Sequence, residues 1–470
     1  MYELTISLDT KRNIPLYEQI YDYIKQEIQQ GKIQSGERLP STRALSRHLE
    51  VSRSTIELAY EQLLSEGYVE TQPYRGFFIS QIDGLYRLEY QEEQQEIKVE
   101  EEKDQYKYDF SPNGVDLNSF PYNIWRKLSR ECLQDDHSEL FRLGNPQGEE
   151  GVRNAICSYL HQARGVNCRP EQIIVGAGND YLLMLLTAIL GNERKVALEN
   201  PTYTQAYRLF DRFSYQVCTV DMDEKGMRVD RLQESGAQIA FVMPSHQFPL
   251  GIVMPISRRM EILRWAEEEE GRYIIEDDYD SEFRYKGKPI PALQGYDRSG
   301  KVIYMGTFSK SIAPAIRMSY MVLPEKVLER YKTNCGFLSS TISRVDQMIL
   351  QKFIEEGYYE RHLNKSRALY KGRHDMMLNR LRTMSESVTI LGENAGLHLL
   401  LRFTGKSSET ELIQKAKSQG VKVYGLSEYC IGIQEEMQEK KEATILLGYA
   451  NMKEAEITEA IELLKKAWHE

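Results

Sequence analysis

Val302-Ile303-Tyr304-Met305-Gly306-Thr307-Phe308-Ser309-Lys310 joins a short apolar run to a glycine, two hydroxyls and a lysine. Apolar residues without alternation, closed by glycine, read as a strand covered on both faces, as inside a parallel sheet. Thirty-three residues before Lys310 stands Asp277, in a second run of the same kind. There Tyr273-Ile274-Ile275 is followed by Glu276-Asp277-Asp278-Tyr279-Asp280. Each run delivers reactive groups just past the carboxyl end of a strand, where open α/β sheets bind ligands.

Working outward, strand-like runs alternate with amphipathic helices from Asp109 onward: Gln172 to Val175, Lys195 to Leu198 and Ile239 to Val242 are further examples. This order predicts an α/β domain over 109–470 with a large, mostly parallel sheet. A smaller C-terminal α/β subdomain is expected from roughly Val345 to the end, with a strand over Leu397 to Phe403.

A lysine held in such a cleft and partly desolvated can form an imine with an aldehyde cofactor. Pyridoxal 5'-phosphate also needs a carboxylate opposite its ring nitrogen, and Asp277 or Asp278 can supply it. Tyr279 is placed to bond the phenolic oxygen, and Tyr203 in Asn200-Pro201-Thr202-Tyr203 to stack on the ring. For phosphate, Gly176-Ala177-Gly178-Asn179 lies between a strand and a helix start, offering free N–H groups. Ser309 adds a hydroxyl and Arg317 a bidentate cation. The Gly-x-Gly turn lacks the third spaced glycine of a dinucleotide site.

The first eighty residues read as a separate unit. After Pro15, Leu16, Tyr17, Ile20, Tyr21, Ile24 and Ile28 repeat at helical spacing up to Gly31. Ser41 is a plausible N-cap for a short second helix, and a third begins near Ser52. Two strand-like pieces, Tyr68 to Thr71 and Phe77 to Ile79, flank the turn Pro73-Tyr74-Arg75-Gly76. Three helices and a hairpin make a winged helix over 1–80. Between Gly36 and Thr55 stand Arg38, Arg43, Arg47, His48 and Arg53 against Glu37 and Glu50. In a helix-turn-helix the start of the second helix, here Ser52-Arg53-Ser54-Thr55, reaches the major groove. From 81 to 108, Glu, Gln and Lys dominate, which predicts a charged linker.

The net charge of −10 excludes a chain whose whole surface grips nucleic acid, but not a small basic face. The start Met1-Tyr2-Glu3-Leu4 carries no signal-peptide pattern, and the apolar run Tyr181 to Leu190 is too short to span a bilayer. Six cysteines, Cys132, Cys157, Cys168, Cys218, Cys335 and Cys430, include no C-x-x-C pair. Neither a disulfide framework nor a metal site is expected, and the location expected is the cytoplasm.

The N-terminal residues resemble the GntR superfamily of winged helices. The likeness runs through Pro15 to Ile20, Gly36 to Arg43, Leu49 to Thr55 and Leu63 to Gly67. It implies that Arg43, Ser52, Arg53, Ser54 and Thr55 contact double-stranded DNA, with Arg75 and Gly76 in the wing. The second domain resembles fold-type I aminotransferases, and the whole chain the MocR subfamily of GntR regulators. The stretches that carry this are Gly148 to Arg153, Arg164 to Val166, Pro244 to Gly251, Ile275 to Phe283 and Thr307 to Lys310.

By that resemblance Lys310 is the Schiff-base lysine and Asp277 the pyridinium partner. Tyr279 bonds the phenolic oxygen, Tyr203 stacks, and Ser309 and Arg317 hold the phosphate. It also implies a homodimer and a small-molecule effector. One departure stands out. Aminotransferases of this fold often place a carboxylate-gripping arginine near the C-terminus, where Thr444-Ile445-Leu446-Leu447-Gly448-Tyr449 has Leu446; a second arginine step reads Ser427-Glu428-Tyr429. Arg402 and Arg208 are the substitutes to examine. The expected function is therefore a regulator sensing pyridoxal phosphate or an amine. The alternatives are an active aminotransferase carrying a DNA-binding module, and a regulator whose second domain holds no cofactor.

Overall fold

The computed structural model describes residue 6 and residues 8–9, 14–81, 106–287, 289–384, 388–405, 407–432 and 442–469. The chain forms two compact units, residues 1–101 and 102–470. Most of the expected linker lies outside the described residues. Its C-terminal end is not linker: Lys107 N–H donates to Gly420 O at 2.8 Å and Tyr108 is buried.

In the first unit, α1 (Leu16–Gln29), α2 (Thr42–His48) and α3 (Arg53–Ser65) precede the antiparallel hairpin of β1 (Val69–Gln72) and β2 (Gly76–Ile79). The helix starts are set by side chains. Ser41 Oγ accepts from Ala44 N–H, and Ser52 Oγ from Thr55 N–H, each at 3.2 Å, which satisfies donors a helix leaves free at its N-terminus. The apolar residues at helical spacing, Ile20, Ile24, Leu45, Ile56 and Leu63, close on Val69 and Ile79 in one core.

The second unit begins with the short strand β3 (Tyr108–Asp109) and α4 (Tyr122–Cys132) and is built on an eight-stranded sheet. Its strands are β4 (Ile173–Gly176), β5 (Lys195–Asn200), β6 (Gln216–Asp223), β7 (Gly226–Met227), β8 (Ile239–Val242), β9 (Tyr273–Asp278), β10 (Val302–Thr307) and β11 (Ser319–Val322), in the order β4-β11-β10-β9-β8-β5-β6-β7. The run β6-β5-β8-β9-β10 is parallel throughout; β11 is antiparallel to both its neighbours. Alternate residues serve opposite faces. Ile275, Ile303 and Phe241 pack under α6 (Asn179–Leu190), with Val327 and Leu328 beside them. Ile274, Val302 and Ala240 pack with Ile262 and Trp265. Tyr304 and Val175 face α5 (Glu150–Arg164) and the helix Arg344–Glu355. Among the described residues no helix is long and apolar enough to cross a membrane.

A four-stranded antiparallel sheet, containing Val388–Leu391, His398–Phe403, Thr444–Gly448 and Tyr424–Gly425, anchors the smaller subdomain. The expected start near Val345 needs correction. Ile349, Leu350, Phe353, Tyr359 and Leu363 pack with the large sheet, and the small core begins around Tyr370, inside the helix Tyr358–Leu381. That helix is continuous across the change of partner, so no loop in the sequence marks the boundary. Tyr108 and Phe110 belong to the small core although they precede the large sheet in sequence.

Candidate functional site

The carboxyl ends of the parallel strands open into a cleft lined by Asn113, Asn179, Asp180, Tyr203, Met243, Phe248, Asp277, Tyr279, Thr307, Ser309, Lys310 and Arg317. Its volume is about 640 Å³ counting the solvent at its mouth, within the usual range for small-molecule sites. All the expected cofactor residues lie on it except Gly178, which adjoins it beside Arg317.

The acidic run does not follow β9 as expected but completes it. The strand continues to Asp278, paired to β10 through Met305↔Asp277 and Gly306↔Asp278. Pleating then sends neighbouring carboxylates to opposite faces, which decides between them. Asp278 is held away from the cleft by Arg164 Nε at 2.8 Å and the Tyr304 hydroxyl at 2.6 Å. Glu276, also turned away, accepts from the backbone N–H groups of Leu293 and Gln294 at 2.7 and 2.8 Å. Asp277 alone of the three lines the cleft, where its recorded partner is the Asn179 amide, Nδ2 donating at 3.1 Å. Burial pushes the Asp277 carboxyl up to about 7, with the charges of Asp278 and Asp280 acting in the same direction.

Lys310 enters from the end of β10, its Nζ 3.3 Å from Pro112 O and 3.4 Å from Asn113 Oδ1. The desolvating surroundings bring its ammonium down to about 8 against the opposing attraction of Asp280, so about a tenth of it is neutral at pH 7, far more than for a solvated lysine. The Tyr279 hydroxyl and Asp280 Oδ2 both lie against His246 Nδ1, at 3.0 and 2.9 Å. Burial holds the phenols of Tyr279 and Tyr203 well above their usual range, so both stay protonated donors.

At the other end, Gly178 caps α6 with φ +90°, and a Cβ there would stand 2.3 Å from an Arg317 guanidinium nitrogen. Only glycine lets the arginine come this close to the helix start. Arg317 bonds Asp180 Oδ2 at 3.0 Å, and Ser309 lines the same cleft. Asn179 Oδ1 is buried without a hydrogen-bond partner.

Sequence reasoning named neither Asn113 nor Asp180, and quoted Phe248 and His246 without giving them roles. Phe248 packs edge-on to Tyr279, His398 and Tyr429 at centroid distances of 5.9, 5.4 and 5.0 Å. Leu446 is fully buried opposite Leu400. Neither suggested substitute reaches the cleft: Arg402 Nε lies 3.6 Å from Glu442, and Arg208 is exposed on the helix Thr204–Arg212. Among the described residues Arg317 is the only arginine on the cleft.

In the first unit Arg43, Ser52, Arg53 and Ser54 are exposed and Thr55 is half-buried; Arg43 lies in the first turn of α2 and the other four at the start of α3. Ser52 Oγ also contacts Ser54 Oγ at 2.8 Å and Thr55 Oγ1 at 2.7 Å, and Arg53 pairs with Glu57 at 2.8 Å. Arg75 is exposed at the hairpin turn over the Phe78 ring. Arg38 comes within 3.5 Å of where a Cβ on Gly76 would stand, so it joins the wing to the basic segment.

Residues 111–464 match the aminotransferase class I and II family, and residues 16–79 the gntR family of bacterial regulatory proteins. The chain is 39% identical over 99% of both sequences to YdeL, an uncharacterized HTH-type transcriptional regulator of Bacillus subtilis. It is 30% identical to MocR of Rhizobium meliloti, a probable rhizopine catabolism regulatory protein, over 98% of this chain and 95% of that one. Among solved structures, a kynurenine aminotransferase of Pyrococcus horikoshii, crystallised with pyridoxamine phosphate (PMP), matches with a TM-score of 0.67 at 24% identity. That match covers 78% of this chain and 91% of the other, and shows the shared fold.

Proposed function

This chain belongs to the GntR regulators of MocR type, a winged helix fused to an aminotransferase-like domain, and from that premise we propose that it is a DNA-binding regulator that senses pyridoxal 5'-phosphate, or a small amine offered to it, through Lys310. The observation that carries this reading is the meeting of Lys310 and Asp277 on one cleft, the lysine partly neutral and the carboxyl buried with no ion pair among the described residues.

The residues present fit the cofactor. Asp277 has no ion pair among the described residues, and a protonated ring nitrogen is the partner its charge lacks. Gly178, the start of α6, Ser309 and Arg317 offer N–H, hydroxyl and guanidinium donors at one end, the chemistry a phosphate requires. When bound, pyridoxal phosphate supplies an aldehyde that condenses with amines and a ring that withdraws electrons. Lys310 would hold it covalently, Asp277 would keep a proton on its ring nitrogen, Tyr279 would donate to its phenolic oxygen and Tyr203 would cover the ring. His246 and Asp280 position the Tyr279 hydroxyl.

With Leu446 in place of an arginine, the effector is the cofactor itself or an amine whose carboxylate is absent or held elsewhere. The same lack favours a sensor over a transaminase. Arg43, Ser52, Arg53, Ser54 and Thr55 would meet the major groove, Arg75 and Gly76 the flanking backbone, and a homodimer would present two such faces to two half-sites. The test is fluorescence anisotropy of the full chain on duplexes from the intergenic region beside its own gene, with and without pyridoxal phosphate. The cofactor is expected to change affinity or half-site occupancy in the wild type and to leave Lys310→Ala unchanged. Equal responses in both proteins would sink the reading.

A further inference from the structure

Away from the cleft, the end of α5 and the loop after it gather three side chains able to ligate a metal. Cys157 and His161 stand one turn apart on α5, and Cys168 follows the helix-ending Gly165, which has φ +64°. Cys157 Sγ lies 3.8 Å from Cys168 Sγ and 3.8 Å from His161 Nε2, and all three ligand atoms fall within 4.8 Å of one another.

These separations are informative. A tetrahedral zinc ion with bonds of about 2.3 Å to sulfur and 2.0–2.1 Å to nitrogen sets S···S near ~3.8 Å and S···N near ~3.5 Å. Cysteines that serve only as small apolar groups have no need to face one another and a histidine nitrogen. Here the two thiols are buried within an apolar core, while His161 is exposed but turns Nε2 inward, 2.8 Å from Cys168 O. The Cys157 thiol reaches the same carbonyl at 3.3 Å, so the three ligand atoms crowd around it, and a bound cation would take the place of these two hydrogen bonds.

We propose that Cys157, His161 and Cys168 form a three-ligand site for zinc or a similar thiophilic divalent cation, with a fourth position on the solvent side. The spacing escapes a sequence search because the cysteines are eleven residues apart with a helix end between them, and the proposal departs from the expectation of no metal site. Both thiols are pushed up by burial and must lose their protons to bind. Apparent affinity should accordingly rise with pH, by up to about tenfold per unit for each proton released. Arg164, three residues after His161 on α5, bonds Asp278. The cation would thus clamp the helix end that supports the strand bearing Asp277.

Titrating the reduced full chain with cobalt(II) tests the site. The expected result is a thiolate-to-cobalt charge-transfer band saturating at one equivalent, discharged by zinc(II), tightening with pH and retained in Cys218→Ala. The band should vanish in Cys157→Ser and Cys168→Ser. His161→Ala, at an exposed position and so least able to disturb folding, should weaken binding tenfold or more. No band in the wild type, a band that survives in both serine variants, or unchanged affinity in His161→Ala would overturn the proposal.

Discussion

Arg317 bonds Asp180 Oδ2 at 3.0 Å, so the cation proposed for phosphate already has a carboxylate beside it, with both side chains about half exposed. A phosphate arriving there would meet a like charge, a repulsion of order 1 kcal/mol after solvent screening. Asp180→Asn is therefore expected to tighten pyridoxal phosphate binding three- to tenfold in an absorbance titration. Weaker binding would mean that Asp180 orients Arg317 instead of competing for it. Asp277 sets a second balance. Its carboxyl, raised to about 7 by burial, is protonated in the folded chain at a pH where the unfolded chain has already released the proton. Its contribution to stability is therefore greatest at low pH and is lost as pH climbs from about 4 through 7. In cofactor-free protein, Asp277→Asn is expected to raise stability at pH 8 by an amount of order 1–3 kcal/mol, read as a higher Tm, and to change little at pH 4 and below. Added pyridoxal phosphate should stabilise the wild type more than the variant. A variant less stable at pH 8 would contradict this account of the buried charge.

At the scale of elements, the start of α3 carries two duties. Ser52 Oγ caps the helix through Thr55 N–H, and the same turn presents Ser52 to Thr55 to solvent or DNA. Ser52→Ala should cost roughly 1 kcal/mol of unfolding free energy in the winged-helix unit, read by denaturant titration, as well as weaken DNA binding. Arg43→Ala removes no ion pair recorded among the described residues. It should leave stability within about 0.5 kcal/mol and, if Arg43 meets a phosphate, lower the slope of log affinity against log salt by about 1. An unchanged slope would remove Arg43 from the backbone contacts. The strand β9 shows the same economy in the other unit. One residue of register separates Asp277, open to the cleft, from Asp278, locked to Arg164 and Tyr304.

Across the whole molecule, local pattern made the two units and the parallel sheet legible, because helical and strand periods leave direct marks on the chain. Lys310, Tyr279 and the Gly178 turn could be read for the same reason: each lies at the end of a strand signalled by apolar residues. What escaped notice depended on long-range packing. Asn113 reaches Lys310 from nearly two hundred residues away, Asp180 matters only because Arg317 folds onto it, and the subdomain boundary hides inside one unbroken helix. The residue pattern alone leaves Asp277 and Asp278 open, the resemblance points to Asp277, and which of the two faces the cleft follows from the strand's true end. The central claim is that Lys310 holds pyridoxal phosphate opposite Asp277. Its most direct test is the absorption spectrum of the purified chain with pyridoxal phosphate, recorded beside Lys310→Ala after unbound cofactor is removed. A long-wavelength imine band is expected in the wild type, forming faster as pH rises toward 8, and none in the variant. No band in the wild type, or the same band in both, would contradict it.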